Sequence, residues 1–231
     1  MFYLKKRNLL IVQYNISKPY IYFFSISNEN NEFNLIFLDK ITIKTENIYF
    51  SDEPRNSCII KDKYLLIGTK IDKNILKEKR ANNITNKNIN GENKINEEKI
   101  NAGLYIINLE KYKDFQIEYI NGCSNVFNIF NIRDNIFICG IDIIDKDNYM
   151  HKNYQLTTFE LLEDNNKTIV KQKYYKNGNY KEINSSKMIS DYFIICSSNK
   201  DSKLMKINKE GIIIPYFSLY NINKINKFIN I

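Results

Sequence analysis

One short apolar phrase is repeated along this chain, and it limits the folds that the chain can adopt. Residues 62–68 read DKYLLIG, residues 134–140 read DNIFICG and residues 191–197 read DYFIICS. A weaker fourth copy, RNLLIVQ, occupies residues 7–13. Runs of strand-forming residues bounded by polar or small residues are typical of buried β-strands. The recurrence therefore predicts a repeated structural unit that contains this strand.

The neighbourhood of each copy predicts further strands. Short apolar runs precede three of the copies: SCII (57–60), VFNIF (126–130) and SKMI (186–189). Strand-like runs follow all four copies: YIYFFSI (20–26), GLYIINL (103–109), YQLTTFEL (154–161) and KLMKIN (203–208). Repeated units of four antiparallel strands are the signature of β-propeller blades. We therefore expect an all-β fold, an incomplete β-propeller of about four blades with four-stranded antiparallel sheets, and the repeated phrase nearest the propeller axis.

The spacing of the copies predicts one domain with a long insertion. The copies begin at residues 7, 62, 134 and 191, so successive units are 55, 72 and 57 residues long. Ordinary blades take about 40–50 residues. Residues 70–101 contain no aromatic residue and are rich in Lys, Asn and Glu, a composition that favours disorder. We expect residues 1–231 to form a single propeller-like domain, with residues 70–101 as a disordered low-complexity insertion within one blade.

Net charge and hydropathy limit the partners. The 231 residues carry a formal charge of +8, which is compatible with contact to RNA or DNA. Enrichment in Lys along the whole chain explains the same excess without such a partner. The longest apolar runs, such as LLIVQY (9–14), fall far below the roughly 18 residues of a membrane-spanning helix. We expect no membrane insertion.

The sequence offers no recognisable catalytic or metal-binding pattern. The single histidine, His151, lies in a polar stretch, and no phosphate-binding loop, nucleophile elbow or zinc-protease motif is present. The four cysteines form no C-x-x-C pair, and three of them lie in or beside apolar runs, which indicates packing in a reducing compartment. Asp142, Asp145 and Asp147 lack the glycine and glutamate of a calcium loop, and we interpret them as a turn. We predict a protein that is not an enzyme, with no catalytic residue, no metal and no cofactor.

One segment could bind nucleic acid directly. Residues 171–182, KQKYYKNGNYKE, interleave lysines with tyrosines, and such residues can neutralise phosphates and stack on bases. The candidate residues are Lys171, Lys173, Tyr174, Tyr175, Lys176, Tyr180 and Lys181. The alternative is a β-hairpin with exposed lysines, in which Asn177 and Gly178 form a type I′ turn.

The order of these features resembles the C-terminal propeller region of one protein family. This is the family of the 160-kDa cleavage and polyadenylation factor subunit, damaged-DNA-binding protein 1 and the large propeller subunit of splicing factor 3b. Its strand endings and hairpins are matched by four segments: Leu65–Thr69, Gly103–Ile107, Val126–Cys139 and Met188–Met205. The chain departs from the family pattern at Ser197 and Ser198, where an acidic residue is usual, and at residues 102–104, where AGL replaces GRI.

The resemblance implies a scaffold for protein–protein assembly in the nucleus, associated with pre-mRNA processing, splicing or damaged DNA. Its partners would be other subunits of a multi-subunit complex, and contact with RNA or DNA is compatible with it. A citron-homology-type propeller is the alternative, because LLIGT followed by GLYIINL is similar to its strand pair. That alternative implies a cytoplasmic protein that binds small GTPases or membrane-traffic partners. In both cases an incomplete propeller exposes sheet faces that need a partner, so we expect the isolated chain to aggregate or to require binding.

Overall fold

The chain is all-β, as its strand-forming runs predict. The computed structural model describes residues 1–14, 20–29, 32–42, 48–51, 56–72, 74–75, 77, 101–111, 115–144, 152–164, 167–177, 183–190, 193–198, 202–208 and 210–219. The expectation of disorder for residues 70–101 falls almost entirely outside these ranges. At its start, Lys70 and Ile71 continue a strand.

The strands form four consecutive groups. The first sheet contains β1 (Phe2–Leu4), β2 (Leu9–Tyr14), β3 (Tyr20–Glu29) and β4 (Glu32–Thr42). The second sheet contains β5 (Ile48–Phe50), β6 (Ser57–Ile60), β7 (Tyr64–Ile71), β8 (Gly103–Asn108) and β9 (Phe115–Tyr119). The third sheet contains β10 (Cys123–Arg133), β11 (Ile136–Ile144), β12 (Lys152–Asp164) and β13 (Lys167–Asn177). The fourth sheet contains β14 (Ile183–Ser190), β15 (Phe193–Ser198), β16 (Ser202–Ile207) and β17 (Ile213–Leu219).

Each group is an antiparallel meander of four successive strands. In the first, third and fourth sheets every strand pairs with the next one along the chain. The second sheet follows the same order from β6 to β9, and β5 adds a short pairing to β7. Four four-stranded meanders are the organisation of an incomplete β-propeller, and this confirms the predicted fold class.

The repeated phrase occupies a different place in the meander from the one that we predicted. It forms β2, β7, β11 and β15, and each of these is the second strand of its four-stranded meander, hydrogen-bonded on both sides. Its expected position nearest the axis, as the inner edge of each sheet, is therefore wrong. An internal strand is covered by neighbours along both edges and can be apolar on both faces. In the first and fourth sheets the edge strand at this end is the first strand, β1 or β14, and in the third sheet the first strand, β10, also pairs with β7.

The four sheets pack face to face in chain order. Apolar residues of the first and second sheets form one core, which includes Phe23, Leu65 and Tyr105. The opposite side of the second sheet packs on the third sheet in a second core, which includes Leu66 and Phe137. The other side of the third sheet and the fourth sheet share a third core, with Phe130 and Met205. Each of the two middle sheets is thus covered on both faces.

The second and third sheets approach each other closely at Gly68. Lys70 of β7 pairs with Asn125 of β10, and this pairing joins the two groups of strands into one hydrogen-bonded sheet of nine strands. A Cβ atom on Gly68 would lie 2.2 Å from the carbonyl oxygen of Val126. Only a residue without a side chain permits this separation of the two backbones.

Polar contacts along one rim of the stack join neighbouring sheets. Arg7 of the β1–β2 turn donates to the carbonyl oxygen of Leu109, over 3.3 Å. Lys63, in the β6–β7 turn, forms a 2.6 Å ion pair with Glu163 at the end of β12. Thr158 of β12 donates to the carbonyl oxygen of Gly211 over 2.6 Å. These contacts connect the first sheet to the second, the second to the third, and the third to the fourth.

Replacing Glu163 by glutamine is expected to have a small, pH-dependent effect. The hydrogen bond from Lys63 lowers the pKa of the Glu163 carboxyl. A lowered pKa in the folded state stabilises the fold above the unfolded-state value of about 4.3, and this stabilisation is lost as the pH falls through the folded-state pKa. Because both side chains are partly exposed, Glu163→Gln should cost at most about 1 kcal/mol at pH 7 and nothing at pH 2. Urea unfolding at both pH values measures it, with Asp164→Asn as the charge-matched control. An equal loss at both pH values would contradict the ion-pair explanation.

No helix in the described ranges has the length and hydropathy needed to cross a membrane.

Candidate functional site

The candidate site is the side of the first sheet that faces away from the core, here called the open face. Along β3 the side chains alternate: Ile21 and Phe23 are fully buried against the second sheet, and Tyr20, Tyr22 and Phe24 lie on the opposite side. None of the three cores of the described residues includes these aromatic rings. Within the described part of the chain, the first sheet is therefore packed on one face only.

The aromatic side chains of the open face form a continuous row. The ring centroids of Tyr20 and Tyr22 are 6.1 Å apart, and those of Tyr22 and Phe24 are 6.3 Å apart with nearly parallel planes. Phe37 of β4 continues the row, since its ring meets that of Phe24 edge-on at 5.9 Å. Such contacts favour rings that are already ordered before a partner arrives.

One cation lies on the same face. The Lys40 ammonium is 3.8 Å from the centroid of the Tyr20 ring and 5.4 Å from that of the Tyr22 ring. The attraction between a cation and an aromatic face holds the lysine stem along the rings. This arrangement leaves a single described positive charge among the rings.

Aliphatic residues extend the open face on both sides of the aromatic row. Leu10 and Val12 of β2 lie opposite Phe24 and Tyr22 in the register of the sheet. On the other side, Leu35 of β4 lies opposite Ile26 and is largely exposed. The face is therefore apolar across three adjacent strands, and a surface of this kind marks an interaction site.

The structure describes the side chains of only some of the residues that we predicted to bind nucleic acid. Lys171 and Lys173 are exposed on β13, at the edge of the third sheet. Lys173 forms a 3.1 Å ion pair with Glu160 of β12. Only the backbone of Tyr174, Tyr175 and Lys176 is described, as part of β13. Tyr180 and Lys181 lie outside the described residues.

The predicted hairpin turn at Asn177 and Gly178 is wrong. The strand β13 pairs with β12 along its length, from Asp164 opposite Lys167 to Gln155 opposite Asn177. The next strand, β14, belongs to the fourth sheet. Gly178 lies outside the described residues, and the local Asn-Gly signal did not reveal that the partner of β13 precedes it in the chain.

The polar and nucleophilic residues considered as chemical candidates are not assembled into a site within the described ranges. Asp142 is buried in β11, where a strand replaces the predicted turn. Asp145, Asp147 and His151 lie outside the described residues. Burial raises the pKa of the Cys58, Cys123 and Cys139 thiols, which keeps them protonated. Among the described residues no group of three acidic, histidine or cysteine side chains could hold a metal.

Comparison with known proteins assigns no family to this chain, so the class of the protein is defined by its fold. No family model matches the chain, and no curated protein matches it significantly in sequence. The resemblance to the polyadenylation-factor and splicing-factor propellers therefore stays a prediction. The class that the coordinates define is an all-β stack of propeller-type sheets with an apolar terminal face.

The sequence of β3 contains a signal for the open face, which we did not use when we predicted the strands. A strand with one solvent-facing side should alternate apolar and polar residues. In YIYFFSI, Ile21 and Phe23 lie on one side of the strand, and Tyr20, Tyr22 and Phe24 lie on the other. Both sides are therefore apolar or aromatic. An alternating strand without polar residues on its second side indicates a second surface to be buried.

Proposed function

We propose that this protein is a non-enzymatic scaffold that binds another protein subunit through the open face of its first sheet. The observation that carries the proposal is the row of rings formed by Tyr20, Tyr22, Phe24 and Phe37 on a sheet whose other face is already packed. Aromatic residues are enriched in the centres of protein–protein interfaces, because they bury a large area with few rotatable bonds.

The packing inside the molecule supports a β-sheet as the part of the partner that docks. Three times among the described residues an apolar sheet face covers the apolar face of its neighbour. The open face continues that series, since it has a similar apolar character. A partner sheet laid on it would repeat a type of contact that the chain already uses.

A protein partner suits this face better than RNA does. RNA bases can stack on aromatic rings. Binding of single-stranded RNA also needs several cations along the phosphate backbone. Among the described residues of the open face only Lys40 supplies a charge beside the rings. At the other predicted site, Lys173 is engaged with Glu160. RNA binding is therefore the alternative outcome of photo-crosslinking at position 22.

The resemblance noted in the sequence favours a nuclear complex of RNA-processing subunits as the setting of this scaffold. The citron-type alternative favours small GTPases or membrane-traffic proteins in the cytoplasm. The two settings predict different partners for the same surface, so identification of the crosslinked subunit distinguishes them.

A photo-crosslinking amino acid at position 22 should capture the partner. We expect the chain carrying p-benzoylphenylalanine at Tyr22 to crosslink, in its native cells, to one protein through peptides from a β-strand. The purified partner should then bind the chain, and Phe24→Lys should raise the dissociation constant at least about tenfold, because an ammonium would be buried among apolar groups. Binding is measured by isothermal titration calorimetry.

The control is the same crosslinker at Tyr119, which is also exposed but lies on β9 of the second sheet. Equal capture from both positions would contradict a specific site. Crosslinks from position 22 to RNA, with salt-dependent RNA binding that Phe24→Ala abolishes, would overturn the protein-partner proposal in favour of nucleic acid.

A further inference from the structure

A second surface, the outer hydrogen-bonding edge of β4, adjoins the open face and shares Leu35 and Phe37 with it. The last residue of β3 that lies opposite β2 is Ser25, and β3 and β4 continue together beyond it. The pairs Ser27–Asn34, Asn28–Phe33 and Glu29–Glu32 extend this hairpin past the rest of the sheet. We call residues 26–37 the arm. Its strand β4 ends the sheet, so no described strand pairs with its outer edge.

The arm exposes large apolar side chains on both of its faces. The exposed fractions are 78% for Phe33, 61% for Leu35, 52% for Ile36 and 56% for Phe37. Residues 33–38 contain no charged residue and no proline. Proteins ordinarily protect exposed edge strands with such residues, because an unprotected edge pairs with other strands. Here that protection is missing over the part of β4 that protrudes.

The regular part of this edge has a defined centre. Phe24 lies opposite Phe37 whereas Phe23 lies opposite Asp39, so Leu38 is an extra residue in β4. Such a bulge disturbs the hydrogen-bonding edge. At the other end the edge is limited by Glu32, where β4 begins. The uninterrupted uncharged stretch is therefore 33–37, and its middle residue is Leu35.

The sequence around Leu35 is self-complementary under two-fold symmetry. In an antiparallel pair, residues directly opposite each other point to the same face of the sheet. With Leu35 opposite Leu35 of a second copy, Phe33 lies opposite Phe37 twice, and Asn34 lies opposite Ile36 twice. Two-fold symmetric contacts of this kind are the commonest basis of homodimers.

We propose that two copies of this chain form a dimer by antiparallel pairing of their β4 edges, centred on Leu35. Two first sheets then become one eight-stranded sheet. Because the arm extends past the β1–β2 turn, its outer edge is accessible without displacement of the rest of the sheet. The interaction uses backbone hydrogen bonds for affinity and the Phe33–Phe37 pairs for register. This dimer is distinct from the proposed binding of a partner subunit, because it needs only two copies of the purified chain.

Sedimentation velocity of the purified full chain over a concentration series tests the dimer. We expect a reversible monomer–dimer equilibrium, with the dissociation constant of Leu35→Lys at least about tenfold higher. Ile169→Lys is the matched control, since Ile169 is 42% exposed on β13, the edge strand of the third sheet. It should leave the equilibrium unchanged. Thermal melts of both variants verify that they fold, as expected for exposed positions.

Cysteine crosslinking tests the register. Leu35→Cys should form an intermolecular disulfide under mild oxidation. Phe33→Cys alone should not, because its symmetry mate lies four residues away along the partner strand, roughly 13 Å. A mixture of Phe33→Cys and Phe37→Cys should crosslink. The parent chain is the blank for its native cysteines, of which Cys58, Cys123 and Cys139 are buried.

Three results would overturn the proposal. The first is a monomer at all concentrations. The second is a dimer that Phe24→Lys disrupts and Leu35→Lys does not, which would place self-association on the open face. The third is crosslinking of Phe33→Cys alone as efficient as that of Leu35→Cys. The first and third results leave the proposed partner site on the open face unaffected, and crosslinking from Tyr22 tests that site independently, so the two proposals fail separately.

Discussion

Replacing Phe23 by alanine is expected to lower the free energy of unfolding by about 3–5 kcal/mol, whereas Phe24→Ala should cost at most about 1.5 kcal/mol. The two phenylalanines are neighbours in β3, but Phe23 is 0% exposed in the core between the first and second sheets. Its removal leaves a cavity that surrounding residues cannot fill. Phe24 lies on the open face and loses mainly its contacts with Tyr22 and Phe37.

Urea unfolding monitored by tyrosine fluorescence and circular dichroism measures both losses. A loss of 3–5 kcal/mol is a large part of the stability of an ordinary domain, about 5–15 kcal/mol. Phe23→Leu serves as a conservative variant and should cost less than the alanine, because it restores most of the buried volume. Equal destabilisation by Phe23→Ala and Phe24→Ala would show that both faces of the first sheet are packed within the monomer, and the open face would not exist.

Gly68→Ala is the second substitution with a large expected effect, about 3 kcal/mol. The added Cβ would lie 2.2 Å from the carbonyl oxygen of Val126, and this oxygen belongs to the backbone of the next sheet. A flexible side chain could rotate away, but two backbones must separate. Such a separation would strain the pairing of Lys70 with Asn125 and loosen the contact between the second and third sheets.

Gly122→Ala is the matched control for Gly68→Ala. Gly122 has a φ angle of +72° and only one side-chain atom near the added Cβ, at 3.8 Å. Its substitution should cost only the strain of the left-handed conformation, about 1 kcal/mol. Chemical unfolding of both variants gives the comparison. A loss for Gly68→Ala no greater than that for Gly122→Ala would contradict the close approach of the two sheets.

The sequence predicted the strands and their repetition well, because both follow from local patterns. The run SCII became β6 with the same boundaries, YIYFFSI falls within β3, and GLYIINL covers β8 and extends one residue beyond it. Even the weak fourth copy, at residues 7–13, contains most of β2. Strand-forming runs separated by turn residues specify such segments without any knowledge of their partners.

The position of each strand within its sheet could not be predicted in the same way. The phrase DKYLLIG has the apolar character of an edge strand near an axis and equally that of an internal second strand, since both are covered on two faces. The segment around Asn177 and Gly178 carries a hairpin signal, yet its strand pairs backwards with β12. In both cases the outcome depends on residues distant in the chain, and a short sequence window does not contain that information.

The candidate site could not be predicted from the sequences of single strands either. The aromatic positions of β3 are informative only when the opposite face is known to be packed. The register places Tyr22 beside Val12 and Phe24 beside Phe37, and only then do scattered residues become one surface. The lysines and tyrosines of residues 171–181 attracted attention because they are contiguous, which is a property of the sequence and not of the folded surface.

The division of the interior into three cores affects how this molecule should lose its structure. Each core joins only two adjacent sheets, so stability should depend on nearest-neighbour contacts, as in repeat proteins. Among the residues that the structure describes, the first and fourth sheets take part in one core each and the central sheets in two. Amide protons of β7 and β11 should therefore exchange with solvent more slowly than those of β2 and β15. A ligand that covered the first sheet would suppress fraying at that terminus, and its binding energy would reach the central sheets without touching them.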